Sequence, residues 1–244
     1  DSLKKLNKIK VQTLGESGKW FREKFPVTPP TAVTTLTDIR NEGRKTVWFN
    51  SRYYRTNLLW EGTCFRFRDI HLFDEKFESA YLNKPGEGGQ FLYFTLPVVD
   101  GFMWSTTDDC AGLRINSIDK DSNKKEILLN DPSVTEVAKD ILQVECKDED
   151  NNIFKIIFYE DKFEVSCLPS KKELIWVLEL NTAQGKELPF KSIDKNQIKG
   201  EFMNYKYGIT CKEGTVEKGN PTNGYVFRLI PVDNKLVIDC TNKL

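Results

Sequence analysis

The chain has 244 residues, enough for one large domain or two small ones with a substantial core. Its 36 basic and 36 acidic side chains give a formal net charge of zero at pH 7, so no global field favours nucleic acid or an anionic membrane. We therefore expect no nucleic-acid partner and, because no run of about 20 apolar residues occurs, no membrane span.

Most of the chain carries the pattern of a mainly β protein. After a polar amino-terminal arm over residues 1–14, short runs rich in aromatic and β-branched residues alternate with stretches of Gly, Asn, Asp and Pro. Two of these runs, 47–55 and 63–73, are expected to pair as an antiparallel hairpin. The segments predicted as strands are 47–55, 63–73, 90–96, 101–105, 153–159, 163–168, 174–180, 225–230 and 236–240.

Two segments have helical signals. In the stretch 131–142, Ser133 and Glu136 have the spacing of a capping box, and apolar residues that follow fall on one face. A second, weaker helix is predicted over 192–205. The fold should therefore contain one or two short helices beside its strands.

The cysteines indicate an oxidising environment. Their even, dispersed number, without a close Cys-x-x-Cys pair, favours disulfides over a zinc or redox motif. We therefore expect a secreted, extracellular protein whose signal peptide has been removed and whose carboxyl end is held by a bridge. Six cysteines allow 15 pairings, and they are Cys64, Cys110, Cys146, Cys167, Cys211 and Cys240.

His71 is the only histidine, which excludes metal sites built from several histidines and leaves one imidazole for general-base chemistry. No nucleophile-elbow Gly-x-Ser-x-Gly motif accompanies it. We interpret His71 as a structural or surface residue. The prediction is a protein that is not an enzyme, with no catalytic residues, no metal ligands and no cofactor.

The aromatic content favours a pocket for a hydrophobic small molecule. The 16 Phe, 8 Tyr and 5 Trp residues supply large, rigid apolar walls. Two arginines alternate with Phe65 and Phe67, and an inward arginine could pair with a ligand carboxylate. The candidate ligand-binding residues are Trp48, Trp60, Arg66, Arg68, Tyr93, Trp104 and Trp176.

A short motif near the amino terminus predicts how the strands are arranged. In Gly18-Lys19-Trp20, the glycine would let a coil turn sharply into a strand, and the tryptophan would plug one end of a barrel. The motif resembles the Gly-x-Trp opening of the lipocalins. That resemblance implies an antiparallel β-barrel of lipocalin type with one or two flanking helices. The alternatives are a disulfide-tied β-sandwich and a pair of small β domains.

The later lipocalin motifs fit in two registers. In one, residues 104–113 resemble the Thr-Asp-Tyr turn and 127–132 the last motif, which places a barrel at 15–147 and a second β domain at 148–244. In the other, residues 158–167 fill the turn, so that the barrel spans 15–211 and a strand extension spans 212–244.

The resemblance also implies a function. We expect a secreted protein that carries or sequesters a hydrophobic or amphipathic small molecule, such as a pigment, a fatty-acid derivative or a biogenic amine. The alternative is a secreted β-sandwich that binds a host protein, an immune protein or a protease through an exposed face.

Overall fold

A computed structural model describes residues 5–6, 9–62, 64–87, 89, 94–170, 174–220 and 224–243. These residues form a short helix and eighteen strands. The elements are α1 (Leu14–Lys24), β1 (Thr31–Thr35), β2 (Arg44–Asn50), β3 (Tyr54–Glu61), β4 (Cys64–Leu72), β5 (Leu96–Asp100), β6 (Gly112–Ile118), β7 (Lys124–Glu126), β8 (Asn130–Ala138), β9 (Ile141–Lys147), β10 (Ile153–Phe158), β11 (Lys162–Leu168), β12 (Trp176–Asn181), β13 (Phe190–Asp194), β14 (Gln197–Phe202), β15 (Tyr205–Glu213), β16 (Thr215–Lys218), β17 (Phe227–Ile230) and β18 (Lys235–Asp239).

The strands form two antiparallel sheets. Sheet A has the order β1-β2-β3-β4-β6-β12-β17-β16, with β5 paired to β4 and β7 paired to β6. Sheet B has the order β13-β14-β15-β18-β11-β10-β9-β8. Among the described residues neither sheet closes on itself, so this part of the chain contains no closed barrel. The mainly β prediction is confirmed, and the arrangement agrees with the β-sandwich alternative.

Aromatic side chains join the inner faces of the two sheets. Phe49 of sheet A stacks on Phe158 of sheet B with ring centres 5.3 Å apart, and Tyr54 lies 6.3 Å from Phe163. The Tyr54 hydroxyl also reaches the carbonyl oxygen of Lys162 at 2.8 Å. These contacts between large buried rings form the core between the two sheets. The alternation of apolar residues in the sequence predicts such a core but not which rings meet in it.

The Gly18-Lys19-Trp20 motif lies in α1 rather than at the entry to a strand. Thr13 and Glu16 form a capping box that begins the helix, and none of its residues is buried. Trp20 is 47% exposed and contacts the ring of Phe25. The expected plug at the end of a barrel is therefore wrong. No helix in the described ranges has the length and apolarity needed to cross a membrane.

Both predicted helices are strands. The segment 131–142 forms most of β8 and the start of β9, joined by a turn at Asp140 with φ of 63°. The segment 192–205 covers the end of β13, all of β14 and the first residue of β15. Met203 and Asn204, with φ of 49° and 63°, form the turn between β14 and β15. Two consecutive residues at positive φ are typical of tight hairpins. Pairing with neighbouring strands thus outweighs a local capping-box pattern.

The predicted strands after residue 150 lie largely where the sequence places them. The predicted strand 101–105 is instead a turn that follows β5, and most of the predicted strand 90–96 lies outside the described residues. The predicted strand 47–55 is divided by a turn, and Asn57 lies within β3 rather than in the loop of the hairpin. The segments 153–159 and 163–168 pair as β10 and β11, whereas 174–180 belongs to sheet A. The local pattern therefore identifies strands without assigning them to sheets.

All six cysteines are free thiols, so no disulfide supports the prediction of bridges. Cys146 and Cys167 both pair with Phe154, one from each side. Two strand spacings of about 4.8 Å separate them, more than the Cα separation of about 4.4–6.8 Å that a disulfide spans. Cys240, expected to hold the carboxyl end by a bridge, is a buried thiol in contact with the Ile238 carbonyl oxygen.

A thiol titration is expected to detect two cysteines in the native protein and six after unfolding. Cys64 and Cys110 are exposed, whereas the other four thiols are buried. Burial raises the pKa of Cys146 to about 12 and that of Cys211 to about 11, and the thiolate is the reactive form. The measurement is reaction with a chromogenic disulfide at pH 8, without reductant, before and after denaturation. Fewer than six reactive thiols in the denatured chain would show that bridges exist.

Candidate metal centre

A row of polar side chains crosses the outer face of sheet A, away from sheet B. Trp48 pairs with Asn57, Asn57 with Asp69, and Asp69 with Asp100. Directly paired residues on neighbouring strands project to the same side. In the next row, Arg55 of β3 pairs with His71 of β4. Two adjacent strands, β4 and β5, thus bring an imidazole and two carboxylates to one place, and β3 places Arg55 beside them.

A β-bulge in β4 decides which residues reach this face. Leu58 pairs with Phe67, whereas its neighbour Asn57 pairs with Asp69, so Arg68 is the extra residue. Before the bulge Phe67 faces the core, and after it Ile70 does. Without that inserted residue, Asp69 would have the parity of Phe67 and would project towards sheet B. The bulge therefore moves Asp69 and His71 to the outer face together.

The donor atoms converge. His71 Nε2 lies 3.8 Å from Asp100 Oδ2 and 4.0 Å from Asp69 Oδ1. The three ligand atoms all lie within 4.8 Å of one another. The side chains of Asp69 and His71 are 5% and 7% exposed, and that of Asp100 is 13% exposed. This is a small, nearly buried group of one nitrogen and two oxygens.

Neighbouring groups hold the carboxylates and leave one oxygen of each directed at His71. Asp100 Oδ1 accepts hydrogen bonds from the backbone amides of Phe102 and Met103, at 3.0 and 2.7 Å. Asp69 Oδ2 accepts from Arg68 Nε at 2.9 Å. Asp69 Oδ1 has a longer contact, 3.3 Å, with the amide of Gly101. Because the outer oxygens are held, the carboxylates have fixed orientations.

Gly101 is required for this close approach. A Cβ atom at this position would lie 2.5 Å from the carbonyl oxygen of Arg68, much closer than real Cβ contacts. The absence of a side chain lets the end of β5 lie against the bulge. Asp100 is brought beside Asp69 for the same reason.

The imidazole of His71 has one satisfied nitrogen and one that lacks a partner. Nδ1 is 2.7 Å from Thr95 Oγ1, whereas Nε2 is buried without a hydrogen-bond partner in the described part of the chain. If Nδ1 carries the proton, the Nε2 lone pair faces two carboxylate oxygens. If Nε2 carries it, both oxygens are beyond hydrogen-bonding distance. Either tautomer leaves a buried polar atom unsatisfied, which costs about 1–3 kcal/mol.

His71 is neutral at physiological pH. Burial lowers its pKa, and the nearby positive charge of Arg55 lowers it further, against the opposing effect of Asp100 and Asp69. The resulting pKa is about 4. A neutral imidazole has a lone pair available to a metal ion. A cation among the three donors would give Nε2 a partner and would bind one oxygen of each carboxylate.

The distances are close to those of a metal centre. Tetrahedral ligands about 2.0–2.1 Å from zinc are about 3.3 Å apart. The measured separations of 3.8 and 4.0 Å from Nε2 to the two oxygens exceed this by about 0.5 to 0.7 Å. A contraction of this size around an ion would bring the donors to zinc-ligand distances. The contact between Nδ1 and Thr95 Oγ1 is the outer hydrogen bond that orients metal-binding histidines.

The structure brings two of the predicted ligand-binding residues to this centre. The guanidinium of Arg68 lies over the ring of Trp48, 5.6 Å from its centre, while its Nε atom binds Asp69. Arg66 is paired instead with Glu61 at 2.8 Å. Both arginines therefore have carboxylate partners within the protein, and neither lies among the rings of the core.

The other predicted ligand-binding residues lie elsewhere. Trp60, Trp104 and Trp176 are buried in the core, where their ring centres lie 4.9–5.7 Å from those of neighbouring phenylalanines. These indole rings pack against other rings. Tyr93 falls outside the described residues.

The sequence interpretation missed Asp69 and Asp100 and assigned His71 no ligand role. Asp69-Ile70-His71 has the spacing that puts two donors on one side of a strand, and this is the signal that could have found them. Asp100 had no such signal, because its pairing with Asp69 depends on the packing of β5 against β4. No family model, curated protein or solved structure matches this chain.

Proposed function

We propose that this protein binds a divalent transition-metal ion through Asp69, His71 and Asp100, with zinc the favoured ion. The observation that carries the proposal is the buried Nε2 atom of His71, which has no hydrogen-bond partner among the residues that the structure describes and faces two oriented carboxylate oxygens. Imidazole favours zinc and its neighbours over calcium and magnesium, which prefer oxygen ligands in larger numbers.

Like the prediction from the sequence, the proposal is that the protein binds a ligand. It differs in the kind of ligand and in where the ligand binds. The predicted apolar ligand requires space among the core aromatics. The tryptophans predicted to line that space instead contact other rings, as described above. A metal ion on the outer face needs no internal cavity, so we favour it over carriage of a hydrophobic molecule.

Zinc is expected to bind the wild-type protein with one-to-one stoichiometry, and Asp100→Asn is expected to weaken binding more than about 100-fold, beyond the usual effect of losing an outer-shell partner. The asparagine keeps an oxygen for the amides of Phe102 and Met103 but loses the charge. The measurement is isothermal titration calorimetry with zinc chloride. The matched control is Asp108→Asn in an exposed loop, which should bind like wild type.

Thermal unfolding provides a second readout. A ligand present at about 100 times its dissociation constant stabilises a folded protein by about 2.7 kcal/mol. Zinc should therefore raise the unfolding temperature of the wild type and of Asp108→Asn, but not that of Asp100→Asn. The proposal would be wrong if the wild type bound no zinc, or if Asp100→Asn bound it as tightly as the control.

A further inference from the structure

Arg55 lies beside the proposed metal centre and forms no ion pair with any carboxylate of the described residues. It lies directly across from His71 in the pairing of β3 with β4, so that the two side chains project to the same face. Its Nε atom is buried and has no hydrogen-bond partner among the described residues.

Arg55 differs in this respect from the neighbouring arginines on the same sheet. Arg68 is bound to Asp69 at 2.9 Å, and Arg66 lies 2.8 Å from Glu61. The exposed Arg52, in the turn before β3, lies 3.6 Å from Glu75. A partly buried guanidinium without a carboxylate partner has lost water without gaining a compensating charge. An anion from outside the chain would supply that charge.

The charge balance of the site leads to the same conclusion. Asp69 and Asp100 contribute two negative charges and Arg55 and Arg68 two positive charges, so the group has no net charge before an ion binds, and a histidine that ligates a metal ion is neutral. A divalent ion would therefore add two positive charges that no side chain of this group neutralises. Three protein ligands also leave a tetrahedral ion with one open position, which an external ligand can occupy.

We propose that the metal-loaded site binds a phosphate group, with one phosphate oxygen on the metal ion and another held by the guanidinium of Arg55. This inference rests on the proposed metal binding. A phosphate dianion matches both the excess charge and the forked geometry of the guanidinium. The ligand class is thus a phosphate, either free or carried on a small molecule.

The experiment uses the full chain loaded with cobalt(II), whose visible absorption reports the ligands around the ion. Titration with inorganic phosphate is expected to change this absorption in a saturable way. Arg55→Gln is expected to weaken phosphate binding about tenfold or more, in the range for loss of a hydrogen bond between charged groups. The same variant should bind cobalt with unchanged stoichiometry in phosphate-free buffer.

Two controls separate this inference from the proposed metal binding. Arg52→Gln removes an exposed arginine close in sequence and should leave phosphate affinity unchanged. Titration with glucose phosphate then tests whether a phosphate ester is bound as well as the free ion. Loss of cobalt binding by the wild type would refute the metal centre itself. Cobalt binding with no phosphate response would refute phosphate binding but not the metal centre. Equal phosphate affinity in wild type and Arg55→Gln would refute the role of Arg55.

Discussion

Replacing Arg228 with methionine is expected to lower the free energy of unfolding by about 3–5 kcal/mol. Arg228 donates from Nη2 and Nε to one oxygen of Glu179, at 2.6 and 3.1 Å. The Glu179 carboxylate is fully buried, and its other oxygen is held by Lys124 at 3.0 Å and by Asn116 at 3.2 Å. Without Arg228, one buried carboxylate oxygen loses both of its donors.

Urea denaturation at neutral pH measures the effect, with the free energy obtained by linear extrapolation. The matched control is Arg44→Met. Arg44 forms a 3.1 Å pair with Glu42, but both side chains are largely exposed, so its loss should cost less than about 1 kcal/mol. A Glu179→Met/Arg228→Met double variant should recover part of the loss, because it removes the uncompensated charge. Equal stability of Arg228→Met and wild type would mean that this pair is not stabilising.

Replacing Phe163 with alanine is expected to destabilise the protein by about 3–5 kcal/mol. Its ring lies where the two sheets meet, 5.6 Å from Phe67 and 6.3 Å from Tyr54 of sheet A, and 6.4 Å from Phe158 of its own sheet. The side chain is 1% exposed. Its removal leaves a cavity that neighbouring rings, fixed by two different sheets, fill only in part.

The same urea experiment applies, with Phe102→Ala as the matched control. Phe102 is 79% exposed, so truncation should change the free energy of unfolding by less than about 0.5 kcal/mol. A loss below about 1 kcal/mol for Phe163→Ala would contradict the packing of the two sheets through this ring. Phe102 also lies beside Asp100 in sequence, but it contributes only its backbone amide to that carboxylate.

The residues of the candidate metal centre were only partly evident from the sequence. The uniqueness of His71 and its place in an extended run were evident, and Asp69 two residues earlier lies on the same side of a regular strand. Local alternation alone does not give the face of the sheet that these two residues occupy. A strand that keeps its parity from Phe65 and Phe67 would direct both residues to the core, and the bulge at Arg68 reverses this.

By itself, the sequence determined the mainly β class, several strand positions and the absence of a large net charge. These properties depend on side-chain periodicity and composition, which act over a few residues. Only the tertiary structure decided that 131–142 is a hairpin, that the cysteines are unpaired and that Asp100 meets His71. Each of these depends on which strands become neighbours. The hairpin is held in sheet B by the pairing of β9 with β10, and Asp100 meets His71 because β5 pairs with β4, about thirty residues earlier in the chain.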